Sequence, residues 1–339
     1  MYLFEFAEIS LFVIGKNMTY IILIISLIIL VVGLYLHFLD INNYEYLYNN
    51  GIDAYSKRKY TKAQALFQRA IALKPEKSEA HYNLGLAYMA LEESALAEKC
   101  FLKAIEINSQ DSDPYYNLGL LFHKDNTIEK AIDYYNKAIE INDKDADSFY
   151  NRGLAFAEIQ KYDEAEKDFF KALELNPENS RYKFGLAQLY DYKSDLSATE
   201  EDVNKAIEIY KEFLQKEPSN ARANYRLAVC YAKKGQWEES VSYCEKTLRI
   251  NPESYDAYNH LGLALYCNGE IQKAIEMYKK ALTLNPKMEQ AYRNLGFAYE
   301  KSGNISKAIE LLEKFAEKFP ESEEVSAVKA HVESLKIKA

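Results

Sequence analysis

The chain has 339 residues, a formal net charge of −9, 27% charged residues and 29 tyrosines. The acidic balance is spread without long blocks, so there is no concentrated basic face and a nucleic-acid partner is excluded. Cys100, Cys230, Cys244 and Cys267 show no C-x-x-C spacing, which argues against a thiolate metal site and for free, buried thiols.

Residues 18–39 carry no charged side chain and read MTYIILIISLIILVVGLYLHFL. As a helix this stretch rises about 33 Å, the thickness of a bilayer core, with Tyr20 and Tyr35 near its ends. It is therefore predicted to be a single transmembrane helix after a tail over 1–17. A cleaved signal peptide would have a shorter apolar run and a small-x-small cleavage site, which are missing here. Lys16 lies on one side, whereas 40–55 contain no Lys or Arg, which points to repeats on the extracytoplasmic side of the membrane. Lys57, Arg58, Lys59 and the free thiols point the other way.

From residue 44 the sequence repeats every 34 residues. Pro75, Pro177, Pro218, Pro252, Pro286 and Pro320 fall at one step of that period. Gly51, Gly85, Gly119, Gly153, Ala187, Ala228, Gly262 and Gly296 fall at its eighth step. Ala63, Ala97, Ala131, Ala165, Ala206, Ser240, Ala274 and Ala308 fall at the twentieth, and Phe67, Phe101, Tyr135, Phe169, Tyr210, Cys244, Tyr278 and Leu312 four later. Small residues belong where two helices cross closely, and the bulky residue fills the groove between them. Proline ends the second helix of each unit. One unit is longer by seven residues around 191–199, expected as a surface-loop insertion or a protrusion toward a partner, with Thr199 capping a restarted helix. After the last repeat, Val325, Val328, Val332 and Leu335 share one helical face, the pattern of a capping helix.

These steps are the marks of the tetratricopeptide repeat, which the chain resembles over 44–77, 78–111, 112–145, 146–179, 180–220, 221–254, 255–288 and 289–322. The resemblance implies an all-α fold: a right-handed superhelical solenoid of eight helical hairpins, a capping helix over 323–339, and here one transmembrane helix before them. It also implies that the first helix of each hairpin lines a concave groove, with steps two, five, six, nine, twelve and thirteen facing inward.

On that mapping the candidate peptide-binding residues are Asn49, Asn83, Asn117, Asn151 and Asn294 at step six, Tyr82, Tyr116 and Tyr150 at step five, and Arg222 and Arg226. Amides one repeat apart can donate to and accept from an extended peptide backbone. The ladder is similar to that in the superhelix of O-linked N-acetylglucosamine transferases, whose catalytic domain is absent here. Arg222 and Arg226 match the basic pair of the family's two-repeat carboxylate clamp. Gly185 and Tyr150 stand where that clamp needs Asn and Lys, so the match is incomplete. Step two changes from Glu45, Glu79, Asp113 and Asp147 to Arg181 and Arg222, which makes the later groove more basic and suits an acidic ligand segment.

No phosphate loop, nucleophile elbow or metal-ligand spacing is found. His37, His81, His123, His260 and His331 are scattered. The expectation is a non-enzyme, with no cofactor and no small-molecule substrate. It is a membrane-anchored scaffold that binds an extended peptide or partner protein in its groove. A receptor or assembly factor for translocated proteins, and a non-catalytic substrate-positioning subunit of a membrane enzyme complex, remain open alternatives.

Overall fold

A computed structural model describes residues 23, 25–35, 43–197 and 199–338. The period appears as alternating helices of 13 and 14 residues. After α1 (25–35) come α2 (Tyr44–Ser56) and α3 (Tyr60–Leu73), α4 (Ser78–Ala90) and α5 (Ser94–Ile107), then α6 (Ser112–Lys124) and α7 (Ile128–Ile141). The described residues fall into two compact units, divided between Asp143 and Lys144. The second unit holds α8 (Ala146–Glu158) with α9 (Tyr162–Leu175), α10 (Ser180–Ser197) with α11 (Glu200–Lys216) and α12 (Ala221–Lys233) with α13 (Trp237–Ile250). It continues with α14 (Tyr255–Cys267) and α15 (Ile271–Leu284), α16 (Glu289–Lys301) and α17 (Ile305–Lys318), and ends in α18 (Val325–Lys338).

Each hairpin closes on the contact that the small and bulky steps predict. A Cβ built on Gly85 would lie 2.6 Å from Cε1 of Phe101, and one on Gly119 would lie 2.4 Å from Cε1 of Tyr135. The ring thus occupies the volume a side chain would need, and both rings are fully buried. At Gly153 the contact to Phe169 relaxes to 3.1 Å. There Arg152 reaches across the hairpin and donates from Nε and Nη2 to the buried Asp168 carboxylate, both at 2.7 Å. Successive hairpins then pack side by side within each unit. Val328, Val332 and Leu335 of α18 complete the last core, against Leu312 and Phe315.

The seven extra residues of the fifth hairpin are helical rather than a loop. They lengthen α10 to 18 residues and α11 to 17, and α11 begins right after Thr199, as expected. Helix α10 docks on α12. Asp191 is fully buried and pairs through Oδ2 with Arg226 and through Oδ1 with Lys233, each at 2.7 Å. Lys233 also donates to Ser194 at 3.0 Å.

One expectation is corrected. Among the described residues no helix is long and apolar enough to cross a membrane. The tail 1–17 and the flanks 18–22, 24 and 36–39 of the expected anchor lie outside the described residues. The transmembrane helix is therefore unsupported, and the single-pass membrane placement, with its extracytoplasmic lean, is overturned.

The turns inside the hairpins share one closure. Glu93 N–H donates to Tyr88 O at 2.9 Å and Glu92 N–H to Met89 O at 3.1 Å, the paired bonds of a left-handed helix end. Gly235, Gly269 and Gly303 fill that left-handed position in three later hairpins, whereas Arg58, Glu92, Asn126 and Gln160 fill it in the first four. A Cβ there costs about 1–2 kcal/mol, least for Asn. Glu92→Gly and Gln160→Gly are expected to raise stability by about 0.5–1 kcal/mol, read as a higher urea midpoint. Asn126→Gly should change it by much less; an equal gain at all three would refute strain at the turn.

Candidate functional site

Within each unit the first helices of neighbouring hairpins approach one another, α2 with α4, and α8, α10, α12, α14 and α16 in series. They therefore lie on the inner side of each unit's curve. The step-five aromatics sit there against the bulky residues of their own hairpins. Tyr82 lies 5.9 Å from Phe101, Tyr116 6.1 Å from Tyr135 and Tyr150 5.5 Å from Phe169, between ring centroids.

The step-six asparagines tie these helices together. Asn83 Nδ2 donates to Glu79 O at 2.8 Å, one turn back, and to the Tyr48 hydroxyl of the preceding hairpin at 3.0 Å. Asn117 repeats this with Asp113 O at 2.9 Å and the Tyr82 hydroxyl at 3.2 Å. Both amide hydrogens are thereby engaged inside the fold, which leaves Oδ1 as the group a ligand would meet. Burial first, and then the charge of Glu79 or Asp113, pushes the Tyr48 and Tyr82 hydroxyls upward, so both remain protonated at neutral pH. Asn49 is exposed. Asn294 Nδ2 donates at 3.2 Å to Asn259, which stands at step five in place of tyrosine.

In the second unit Tyr150, Asn151, Arg181 and Arg222 come together. Asn151 Nδ2 donates to Asp147 O at 2.8 Å, and its Oδ1 accepts from Arg181 at 3.1 Å. The Arg181 guanidinium lies 4.4 Å above the Tyr150 ring and pairs with Asp147 at 3.4 Å. At Gly185 a Cβ would fall 2.6 Å from Cε2 of Tyr150, so the Tyr150 ring leaves no room for the asparagine found at this step in earlier hairpins. Arg226 is neutralised by Asp191 and lies 5.4 Å from the Tyr192 ring. Arg222 lies 5.5 Å from the Phe184 ring and makes no ion pair among the described residues. The sequence pattern had treated Arg222 and Arg226 as equivalent. It also lacked any signal that Asp191 would serve as the internal counter-ion.

Two cavities open on this inner face. One, of ≈ 370 Å³, is lined by Leu154, Phe169, Gly185, Gln188, Tyr192 and Arg222, among others. The other, of ≈ 590 Å³, is lined by Arg293, Asn294, Phe297 and by Val328 and His331 of α18; there Arg293 is paired with Glu324. Among the described residues no group of three or more His, Cys, Asp or Glu is placed to hold a metal. Cys230 and Cys244 are buried and Cys267 is exposed, so the expectation of buried thiols fails for Cys267. Burial holds the Cys244 thiol up at about 12.

Tetratricopeptide repeat models match residues 48–114, 112–145, 146–179, 219–287 and 265–332. The chain belongs to the tetratricopeptide repeat family. The matched stretches flank 180–218, where the lengthened hairpin lies. Among solved structures, YrrB, described as a tetratricopeptide repeat protein with an unusual peptide-binding site, is 26% identical with a TM-score of 0.50, over 57% of this chain and 96% of that one. A tetratricopeptide repeat protein from Parabacteroides merdae is 21% identical, with a TM-score of 0.54 over 75% and 98% of the two chains. The C-terminal part of a repeat protein from Cytophaga hutchinsonii is 18% identical, with a TM-score of 0.59 over 73% and 99%. The last two are likenesses of fold alone. Among curated proteins no sequence matches the chain.

At step six of the seventh repeat His260 replaces asparagine. Burial pulls its pKa down from 6.5 to about 4, and its Nε2 is buried without a hydrogen-bond partner. The unfolded chain therefore binds a proton at a pH where the folded chain does not. Stability at this site is complete above about pH 6.5 and is lost as the pH falls toward 4, by up to about 3 kcal/mol. His260→Asn restores an amide that can donate to Asp256 O and is expected to flatten that part of the pH–stability curve. A wild-type slope in the variant would show that other groups dominate. Asn117→Ala removes a tie between hairpins and is expected to cost about 1–2 kcal/mol, measured by urea unfolding.

Proposed function

We propose that the chain is a non-catalytic scaffold that binds an extended peptide or partner protein along the inner face of its first helices. The observation that carries this reading is the chemistry of that face: step-five aromatics, amide Oδ1 acceptors and an arginine without an ionic partner line a groove with open cavities. Aromatic and arginine side chains are the groups that dominate protein recognition. The likeness to YrrB, whose description names a peptide-binding site, supports the same reading. The family's use as an interaction module agrees with it, although a fold alone does not choose a partner. Asn49, Asn83, Asn294, Tyr82, Tyr116 and Arg222 are the proposed contacts, whereas Asn117, Asn151 and Tyr150 are buried and hold the neighbouring helices together behind them. Arg226 contributes by fixing the wall beside them.

Photo-crosslinking tests the face directly. A photoreactive residue at Asn49 or Gln188, on first helices, is compared with one at Leu102 or Phe170, which are exposed on second helices. The expected result is a discrete adduct with a partner from the groove positions and none from the second helices. Adducts confined to Leu102 and Phe170 would move the interface to the outer face and sink the proposal.

A further inference from the structure

Three arginines stand in the groove of the fifth and sixth hairpins, and two of them already have carboxylates. Arg181 pairs with Asp147 at 3.4 Å and Arg226 with the buried Asp191 at 2.7 Å. At the other cavity Arg293 pairs with Glu324. Arg222 differs: it makes no ion pair among the described residues, lies 5.5 Å from the Phe184 ring and lines the ≈ 370 Å³ cavity. Gly185 lines that cavity, whose walls are the apolar Leu154, Ala157, Phe169 and Leu189 with Tyr192. Tyr192 belongs to the lengthened α10 and is half exposed. The volume lies at the low end of the about 300–1,000 Å³ typical of ligand sites, room for one large side chain together with part of the segment that carries it.

We propose that this cavity is a socket for one large apolar side chain of an extended partner segment, and that Arg222 binds an Asp or Glu carboxylate next to it in that segment. The inference rests on the reading of the inner face as the binding surface and narrows it to one site and one class of partner sequence. An apolar anchor in a pocket supplies affinity. The guanidinium, held against Phe184, presents a planar donor pair to a carboxylate, so acidic neighbours are selected over neutral ones. Arg226 does not share this role, because Asp191 neutralises it.

The test pans phage-displayed random decapeptides against the full-length chain. Peptides enriched in a large apolar residue beside Asp or Glu are expected. Their affinity should fall by roughly tenfold or more in Arg222→Gln, the loss of a charge-assisted contact, and comparably in Ala157→Phe, which fills the socket from a partly exposed position. Arg222→Lys should recover part of the loss, and Lys103→Gln on a second helix should change nothing. Wild-type melting of each variant by circular dichroism shows that the fold is intact. Enriched peptides that lack the acidic–apolar pair, or that bind Arg222→Gln and Ala157→Phe as well as the wild type, overturn the socket. If those peptides still crosslink at Asn49 or Gln188, the broader groove reading survives that result. Enrichment of peptides that crosslink only at Leu102 or Phe170 removes both.

Discussion

The contact between the eighth-step glycine and the ring sixteen residues later is the constraint on which the molecule depends. With Phe101 or Tyr135 filling the space beside Gly85 or Gly119, the two helices of a hairpin are held in close approach. The contact recurs at Gly51, Gly85, Gly119 and Gly262, and within each unit the first helices come together on one side. The groove is thus a product of core packing, not of any residue that faces it. A larger side chain at the glycine step would displace a fully buried ring and alter the curve before it altered any groove contact.

Groove-facing residues accordingly do two jobs. Asn83 and Asn117 use both amide hydrogens to hold adjacent helices, and the tyrosines that accept those bonds also pack on the cores of their own hairpins. What is left for a ligand is what the fold does not use: amide oxygens, ring edges and Arg222. The charge pattern of the second unit follows the same logic. Asp191 and Asp147 lie opposite Arg226 and Arg181 and reduce a basic stretch to a single site. The extra turn of α10 adds Asp195 and Ser194 to the Lys233 side of that cluster, which gives the lengthened hairpin an electrostatic role as well as a steric one.

Most of the fold was legible in the sequence because its determinants are local and periodic. The small and bulky steps, the proline step, the helix start at Thr199 and the apolar face of Val328, Val332 and Leu335 each depend on residues within one hairpin or its neighbour. What was illegible depends on pairing or on depth. No spacing rule links Asp191 to Arg226, 35 residues on, and Asn83 could not be known to have its donors occupied until Tyr48 was placed beside it. His260 looked like a groove histidine, yet burial makes it a neutral core group. The apolar run near the amino terminus suggested a bilayer span, but among the described residues no helix is long and apolar enough to cross a membrane.

The left-handed turns have a consequence for how the molecule can change. In the first four hairpins Arg58, Glu92, Asn126 and Gln160 hold a strained conformation on an exposed edge, at the tip of each hairpin and outside the cavities of the inner face. A reserve of stability is therefore stored away from the recognition surface. Proteins whose strain sits in the active region must trade one property against the other. Here a lineage could harden or soften the scaffold through the hairpin tips while its ligand preference stayed fixed, and could alter that preference at the exposed Arg222 against an unchanged background of stability.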